Sequence, residues 1–447
     1  MRTRNIVLAL VCGAAVVGAT WWAARPASRE WSTVGSRALD ELRAGQSALE
    51  KLYFLEAADH FRSALADDPN SFAAQIGLST ALLSLGQGPA ADKELELALA
   101  HDPTTLSPRE QRMWQVAKLR KEGRQEKLLS YLEAAAKESP GDPEITKALS
   151  SYFLGRGDLA AAAHWAQATL EVAPNDARSY NTLGYVEMGL GNFAAAEANL
   201  KRYAFIAPDQ ANPHDSLGEL YTVLGRWDDA NREFHRALEV SPRFFPAYDH
   251  LARVAALRGD DRSAVEAIEK GAEIAGMPAK EREYQATLYR ALAALWRGDD
   301  PSFVGIVNSM KWPADTPQFG LRIVAAMKAG DVTQVRALEA ELEAFRKVHN
   351  QDAMGGTNAH DQLVHAIVLF AEGHYTEAAQ AAQAADIGLN YSEDGGVSKL
   401  LGRCLRAVAL ARAGHTDEAR EVIASVEAVN PYFPGLSWYR EMGDRKR

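Results

Sequence analysis

Small and apolar side chains recur in two stripes along residues 211–244. The first stripe stands at i, i+3, i+4 and i+7 and the second at i, i+4 and i+7, which places each stripe on one face of an α-helix. Leu217 belongs to the first stripe and Phe234 to the second, with Gly225 between the stripes and Pro242 after them. Because glycine commonly closes a helix and proline cannot continue one, the pattern predicts two short helices joined by a tight turn.

The same pattern returns along the chain with a period of 34 residues. Leu183 and Gly191, for example, stand 34 residues before Leu217 and Gly225. A single helix pair cannot bury its own apolar stripe, so successive pairs are expected to stack on one another. Alternating β-branched runs are scarce, and the predicted fold class is therefore all-α, an α-solenoid of helix-turn-helix units. The predicted units lie near residues 38–71, 72–105, 106–142, 143–176, 177–210, 211–244 and 245–278.

Two positions of each clear unit hold a small residue, one on each predicted helix. Gly218 and Ala230 hold these positions in residues 211–244, and Gly184 and Ala196 hold them one unit earlier. Small residues allow two backbones to approach closely. These positions therefore predict where the two helices of a pair cross.

The segment NPHDSLGELYTVLGRWDDANREFHRALEVSP, residues 212–242, closely resembles the tetratricopeptide repeat, whose pattern is W-x2-L-G-x2-Y, then A-x3-F, then P. The resemblance extends over residues 38–278. The clearest units also resemble repeat modules of bacterial signalling proteins, which implies a bacterial source. For the fold, the resemblance implies stacked helix pairs whose first helices line a concave binding face.

The resemblance also implies which residues face a partner, because family members line the concave face with first-helix side chains. In four successive units these positions are polar or charged, which fits either a partner-binding groove or an ordinary solvated face. Some members clamp a terminal carboxylate with lysine and asparagine side chains, but Asp215, Glu219 and Asp249 would repel one. The candidate partner-binding residues are Lys147, Ser151, Asn181, Tyr185, Asp215, Glu219, Asp249 and Arg253.

After residue 278 the period is less regular, but helix-length patterns continue. Gly298 and Gly330, among other glycines, each follow such a pattern. We therefore expect residues 279–447 to form degenerate helical repeats and a C-terminal cap. Two polar, glycine-containing segments, residues 350–362 and 388–398, are the expected long loops.

Residues 1–25 differ from the rest of the chain. Their apolar segment, residues 6–24, would span about 28 Å as a helix, close to the thickness of a bilayer core. Arginines precede this segment and Trp21–Trp22 stand near its end, as expected of a cytoplasmic flank and an interfacial anchor. The pattern predicts a single-pass signal-anchor in the inner (cytoplasmic) membrane, with residues 26–37 as a linker and the later chain outside the cytoplasm.

The alternative is a signal peptide that is cleaved after Ala19, which would release a secreted or periplasmic protein. Small residues before this point suit cleavage, whereas the tryptophan pair directly after it is less favourable. Both interpretations predict export of the repeats.

None of the common catalytic or cofactor-binding motifs occurs in the sequence. It contains no phosphate-binding G-x4-G-K-[ST] loop, no G-x-S-x-G, no H-E-x-x-H and no paired C-x-x-C. The eleven histidines are scattered, and His360 and His365 are poorly spaced to share a metal ion. Cys12 and Cys404 do not suggest a disulfide. We therefore expect no catalytic residue, no metal, no cofactor and no enzyme activity.

Net charge limits the class of partner. The chain carries a formal charge of −10, which becomes −13 without the three arginines among residues 1–25. So acidic a protein does not suit nucleic acid, which is bound by basic surfaces. The sequence favours a non-catalytic scaffold or adaptor that binds protein partners from the membrane surface, facing the periplasm or exterior. The alternative is an exported sensor or carrier whose groove binds a small molecule or a cell-wall fragment.

Overall fold

The structure, a computed structural model, describes residues 30–313, 317–348, 359–391 and 394–444. In these residues the regular structure consists of 23 α-helices and two short 3₁₀ turns, with no strand, which confirms the predicted all-α class. None of the described helices is long and apolar enough to cross a membrane. The predicted signal-anchor, residues 1–25, lies outside the described residues.

The chain divides into two compact units, residues 1–131 and 132–447. In the first unit the side chain of Phe61, on the second helix, packs between the first and third helices. A Cβ at Gly77 would lie 2.3 Å from its ring, which explains why that position holds glycine. The helices are α1 (Ser36–Glu50), α2 (Phe54–Asp67), α3 (Phe72–Ser84), α4 (Gly88–Leu99), α5 (Pro108–Lys121) and α6 (Gln125–Glu138), the last of which contains the boundary.

The second unit continues as consecutive helix pairs through the part of the chain where the sequence period is less regular. Its helices are α7 (Pro143–Leu154), α8 (Leu159–Val172), α9 (Ala177–Gly189), α10 (Phe193–Ile206), α11 (Asn212–Val223), α12 (Trp227–Val240), α13 (Phe245–Leu257), α14 (Asp261–Ile274), α15 (Ala279–Arg297), α16 (Asp300–Ser309), α17 (Phe319–Ala329), α18 (Val332–Val348), α19 (Ala359–Ala371), α20 (Tyr375–Gly388), α21 (Val397–Arg412), α22 (Thr416–Val429) and α23 (Leu436–Asp444).

Local chemistry sets where the helices begin and end. Asp176 caps α9 by accepting a hydrogen bond from the Ser179 backbone N–H at 2.8 Å. Gly191 and Gly225 have φ values of 80° and 67°, a left-handed conformation that favours glycine. The predicted role of these glycines in closing the first helix of each pair is therefore confirmed.

The predicted crossing points are also confirmed. A Cβ at Gly218 would lie 2.3 Å from the ring of Phe234, and one at Gly184 would lie 2.4 Å from Leu200. Ala196 is fully buried on the second helix of its pair. In these pairs the two helices cross so closely that the larger side chain of one occupies the space above the glycine of the other.

The described part of the linker predicted at residues 26–37 is packed. Trp31 is buried, and the guanidinium of Arg109 lies 4.4 Å from the centre of its ring. The Ser32 backbone N–H donates to Glu110 at 2.8 Å. Tertiary contacts thus hold part of this segment, and the assignment of residues 26–37 as a linker stays a prediction.

The two predicted loops differ from expectation in part. Residues 359–362 belong to α19, because the apolar stripe of this helix begins one turn before Leu363, while residues 349–358 lie outside the described residues. Within residues 388–398, Asp394–Gly396 form a 3₁₀ turn, and residues 392–393 are not described.

Candidate functional site

The eight candidate partner-binding residues lie on the first helices of four consecutive pairs. These helices are α7, α9, α11 and α13. Lys147 on α7 forms ion pairs with Glu144 at 2.6 Å and with Asp176 at 3.7 Å, and Ser151 is exposed. The other six candidates, from Asn181 to Arg253, lie in a polar cluster together with Ser216, His250 and Tyr289, which we call the inter-repeat cluster.

Tyr185 joins α9 to α11. Its hydroxyl donates to Glu219 Oε2 and lies 3.3 Å from Ser216 Oγ, which in turn donates to Asn181 Oδ1 at 2.9 Å. Burial and the negative charge of Glu219 and Asp215 raise the pKa of Tyr185 well above its ordinary value. The hydroxyl therefore keeps its proton and remains a hydrogen-bond donor at neutral pH.

His250 joins α13 to α11 through both ring nitrogens. Its Nδ1 lies 2.9 Å from Asp215 Oδ1, and its Nε2 lies 3.3 Å from Glu219 Oε1. Burial alone would lower the pKa of His250, but the two carboxylates outweigh it and raise the pKa to about 9. Burial raises the pKa of Asp215, and the charge of His250 offsets part of that rise. At neutral pH the ring is therefore an imidazolium that donates a hydrogen bond to Asp215 and forms an ion pair with Glu219.

The third contact of the inter-repeat cluster joins α13 to α15. Asp249 accepts a hydrogen bond from Arg253 Nη2 at 3.1 Å and another from the Tyr289 hydroxyl at 2.6 Å. Burial and the Asp249 carboxylate raise the pKa of Tyr289 well above its ordinary value, so this hydroxyl also stays protonated. Four first helices are thus connected by hydrogen bonds.

The centre of the predicted groove is more buried than a solvated face would be. Asp215 is 3% exposed and Ser216 is fully buried, whereas the side chains of Asp249 and Arg253 remain 29% and 27% exposed. The end of α11 also packs against the 3₁₀ turn, where a Cβ at Gly396 would lie 3.4 Å from Val223. The candidate residues at the centre therefore contact one another, and the exposed fraction of the side chains increases toward Arg253.

Sequence reasoning missed Ser216, His250 and Tyr289. Each of these three residues contacts a candidate residue, and the sequence separation could have indicated two of these contacts. Asn181 and Ser216 are separated by 35 residues, and so are Asp215 and His250. A separation of 35 residues is one more than the repeat period. It therefore connects a groove position to the residue directly after the equivalent position in the following unit. The contact of Tyr289 has no such signal, since α15 is longer than the preceding first helices.

A groove also lies between α14 and α15, outside the inter-repeat cluster. Its volume is about 530 Å³, and its lining is mostly charged. The charged lining residues are Glu269, Glu273, Arg282, Glu283 and Arg290. None of the eight sequence candidates lines this groove.

Comparisons with known proteins agree with the helix pairs. Two tetratricopeptide repeat family models match the chain, one at residues 54–109 and one at residues 147–211. No curated protein matches the chain. Within the described residues each compact unit is a stack of helix pairs. The described part of the protein is therefore an all-helical repeat structure, and residues 54–109 and 147–211 match tetratricopeptide repeats, as the sequence predicted.

Solved structures that are similar to this chain include a tetratricopeptide repeat protein from Parabacteroides merdae ATCC 43184, with 14% identity, 66% of this chain and 100% of that chain covered, and a TM-score of 0.38. The APC/C hetero-tetramer Cut9–Hcn1 is 12% identical over 89% of this chain and 94% of that chain, with a TM-score of 0.42. PilW, a type IV pilus biogenesis factor, is 16% identical over 52% of this chain and 90% of that chain, with a TM-score of 0.34.

Proposed function

We propose that this protein is a non-catalytic scaffold that holds a protein partner along the first helices α7 to α13. Stacked repeats of this type provide extended surfaces for binding other proteins. The observation that carries the proposal is a row of polar side chains, formed by the eight candidate residues on the first helices α7, α9, α11 and α13. Groups of both charge signs in this row remain partly exposed. Lys147, Asp249 and Arg253 are the accessible charged groups of this row, with side-chain exposures of 23%, 29% and 27%.

The contacts within the row support binding by a rigid surface. Arg253 is held by Asp249, and Asp249 is held in turn by Tyr289. Because these side chains are already held in place, binding of a partner costs little of their conformational entropy. Arginine in a partly desolvated position is also among the residue types that contribute most to protein interfaces.

Replacing Arg253 with alanine is expected to weaken partner binding at least tenfold, about 1.4 kcal/mol, because one of the two accessible cations of the row is removed. Asp249 keeps its hydrogen bond from Tyr289, so the fold is expected to survive. The full-length protein is first used to isolate partners, which are identified by mass. Each identified partner is then titrated against the parent and the variant.

Arg262 provides the matched control, because it also forms an ion pair with an acidic residue four positions away, Glu266, but on the second helix α14. Arg262→Ala should leave the affinity unchanged. Equal affinities for Arg253→Ala and the parent, with both proteins folded, would contradict the proposed binding row. If Arg290→Ala reduces binding instead, the partner contacts the groove between α14 and α15 rather than the proposed row.

We further propose that residues 6–24 anchor the repeats in the inner membrane and place them in the periplasm or outside the cell. The length of this apolar segment, the arginines before it and the Trp21–Trp22 pair support the proposal. Cleavage after Ala19, which would leave the repeats free in the periplasm, is the alternative.

The full-length protein is expected to stay in the membrane fraction through an alkaline carbonate wash, because a spanning helix is not released by high pH. A chain that begins at Ser28 lacks the apolar segment and should be found in the soluble fraction. The mass of the mature N-terminus is measured in parallel. A soluble protein that begins at Thr20 would rule out the anchor and support cleavage.

A further inference from the structure

Asp215, Glu219 and His250 bring three metal-ligating side chains to one buried point. One ligand atom from each lies within 4.8 Å of the ligand atoms of the other two. Their side chains are 4%, 15% and 13% exposed. Each comes from a first helix of the repeat stack, so the backbone that carries them is held by packing on both sides.

The helix geometry explains this convergence. Asp215 and Glu219 stand four residues apart on α11 and therefore share one face of that helix. His250 on α13 faces them from the next repeat, with its ring nitrogens 2.9 Å and 3.3 Å from their oxygens. Donors bound tetrahedrally to Zn²⁺ at about 2.1 Å lie about 3.4 Å from one another. The three ligand atoms here lie within 4.8 Å of one another, so an ion bound to one ring nitrogen draws the carboxylate at the other nitrogen toward it.

From this geometry we propose that Asp215, Glu219 and His250 form a binding site for one divalent transition-metal ion of the Zn²⁺ type. One imidazole and two carboxylates are a nitrogen and oxygen donor set that suits Zn²⁺. The ion binds one ring nitrogen of His250 and takes the place of the proton there. Three protein ligands leave a fourth position for water or for a group of a bound partner.

Charge around the site favours such an ion. The carboxylates of Asp215, Glu219 and Asp249 lie in the inter-repeat cluster, whose fixed positive charge is the guanidinium of Arg253. A divalent ion brings two positive charges to these three carboxylates. It therefore offsets more of their negative charge than Arg253 offsets alone.

Outer contacts hold the ligands in place. The Tyr185 hydroxyl donates to Glu219 Oε2, which leaves Oε1 directed toward His250. Such contacts to ligating carboxylates orient them and strengthen metal binding. The proposal rests on these contacts and is independent of the identity of any protein partner.

The test uses full-length protein without a polyhistidine tag, stripped of metal with a chelator and then titrated with ZnCl₂ by calorimetry. We expect one Zn²⁺ ion per chain, and a Co²⁺-loaded sample should show visible absorption bands of a nitrogen- and oxygen-ligated ion. Glu219→Gln keeps the size of the side chain but removes its charge. Its affinity for Zn²⁺ should be at least tenfold lower than that of the parent.

Glu339→Gln is the matched control, because Glu339 contacts an exposed histidine, His365, at 2.9 Å on another pair of helices. This variant should bind Zn²⁺ as the parent does. Absence of stoichiometric binding to the parent would overturn the proposal and leave an ion-pair cluster only. Equal binding by a folded Glu219→Gln variant would overturn it as well, since another set of residues would then hold the ion.

Discussion

Gly218→Ala is expected to lower the free energy of unfolding by about 1–3 kcal/mol, because a single methyl group overpacks a closed helix crossing. The new Cβ would lie 2.3 Å from Cε1 of Phe234. Phe234 is fully buried and cannot rotate into solvent, so the helices of the pair must move apart. Thermal and denaturant unfolding, followed by circular dichroism at 222 nm, measure the change.

Gly305 is the matched control for this prediction. It also lies within a helix, α16, but nothing lies within 4 Å of the Cβ it would gain. Gly305→Ala should therefore stabilise the protein by about 0.4–1 kcal/mol, since alanine restricts the unfolded chain and favours helix. Opposite signs for the two variants are expected. A stabilising Gly218→Ala would show that the two helices of the pair do not cross at this position.

Gly218 is predictable from the sequence for a physical reason. The helix pair is a local structure, and its residues are close in the sequence, so steric needs at the crossing appear as a strict period. Gly191 and Gly225 are predictable for the same reason, because each closes a helix within its own unit. Contacts that lie within one unit can therefore be predicted from the sequence of that unit.

Contacts between units are less visible in the sequence. The polar candidates were expected to face a groove, but Asp215 instead bonds to His250 on the next first helix. Whether such a side chain meets solvent or a neighbour depends on how tightly successive pairs pack, which the period alone does not determine. The buried centre of the row and its accessible end at Arg253 could not be distinguished from the pattern.

The chain before α1 gives a further example. Residues 30–35 lack a helical stripe and therefore resemble a linker in composition. Trp31 is nevertheless buried against Arg109, which lies 78 residues later. A tertiary contact of this kind leaves no local signal, so the sequence places the start of the first helix but not the packing that precedes it.

His250→Leu is expected to lower the free energy of unfolding by about 3–5 kcal/mol, because it leaves the buried carboxylates of Asp215 and Glu219 without their shared cation. The ring also packs 5.2 Å from the ring of Phe234, between their centres, and leucine fills much of that apolar space. Loss of the charge therefore dominates the effect. Unfolding is measured at neutral pH in the presence of EDTA, so that no metal ion contributes.

His365→Leu is a control that removes a histidine–carboxylate ion pair which is exposed rather than buried. His365 contacts Glu339 at 2.9 Å, as close as His250 contacts Asp215, but its side chain is 56% exposed. Water solvates the carboxylate that remains, so this variant should change stability by at most about 1 kcal/mol. Similar losses for both histidines would show that Asp215 and Glu219 are solvated in the native protein. A large loss of stability for His250→Leu alone would instead show that the ion pairs of His250 with Asp215 and Glu219 are internal. The stacking of α11 and α13 would then depend on them.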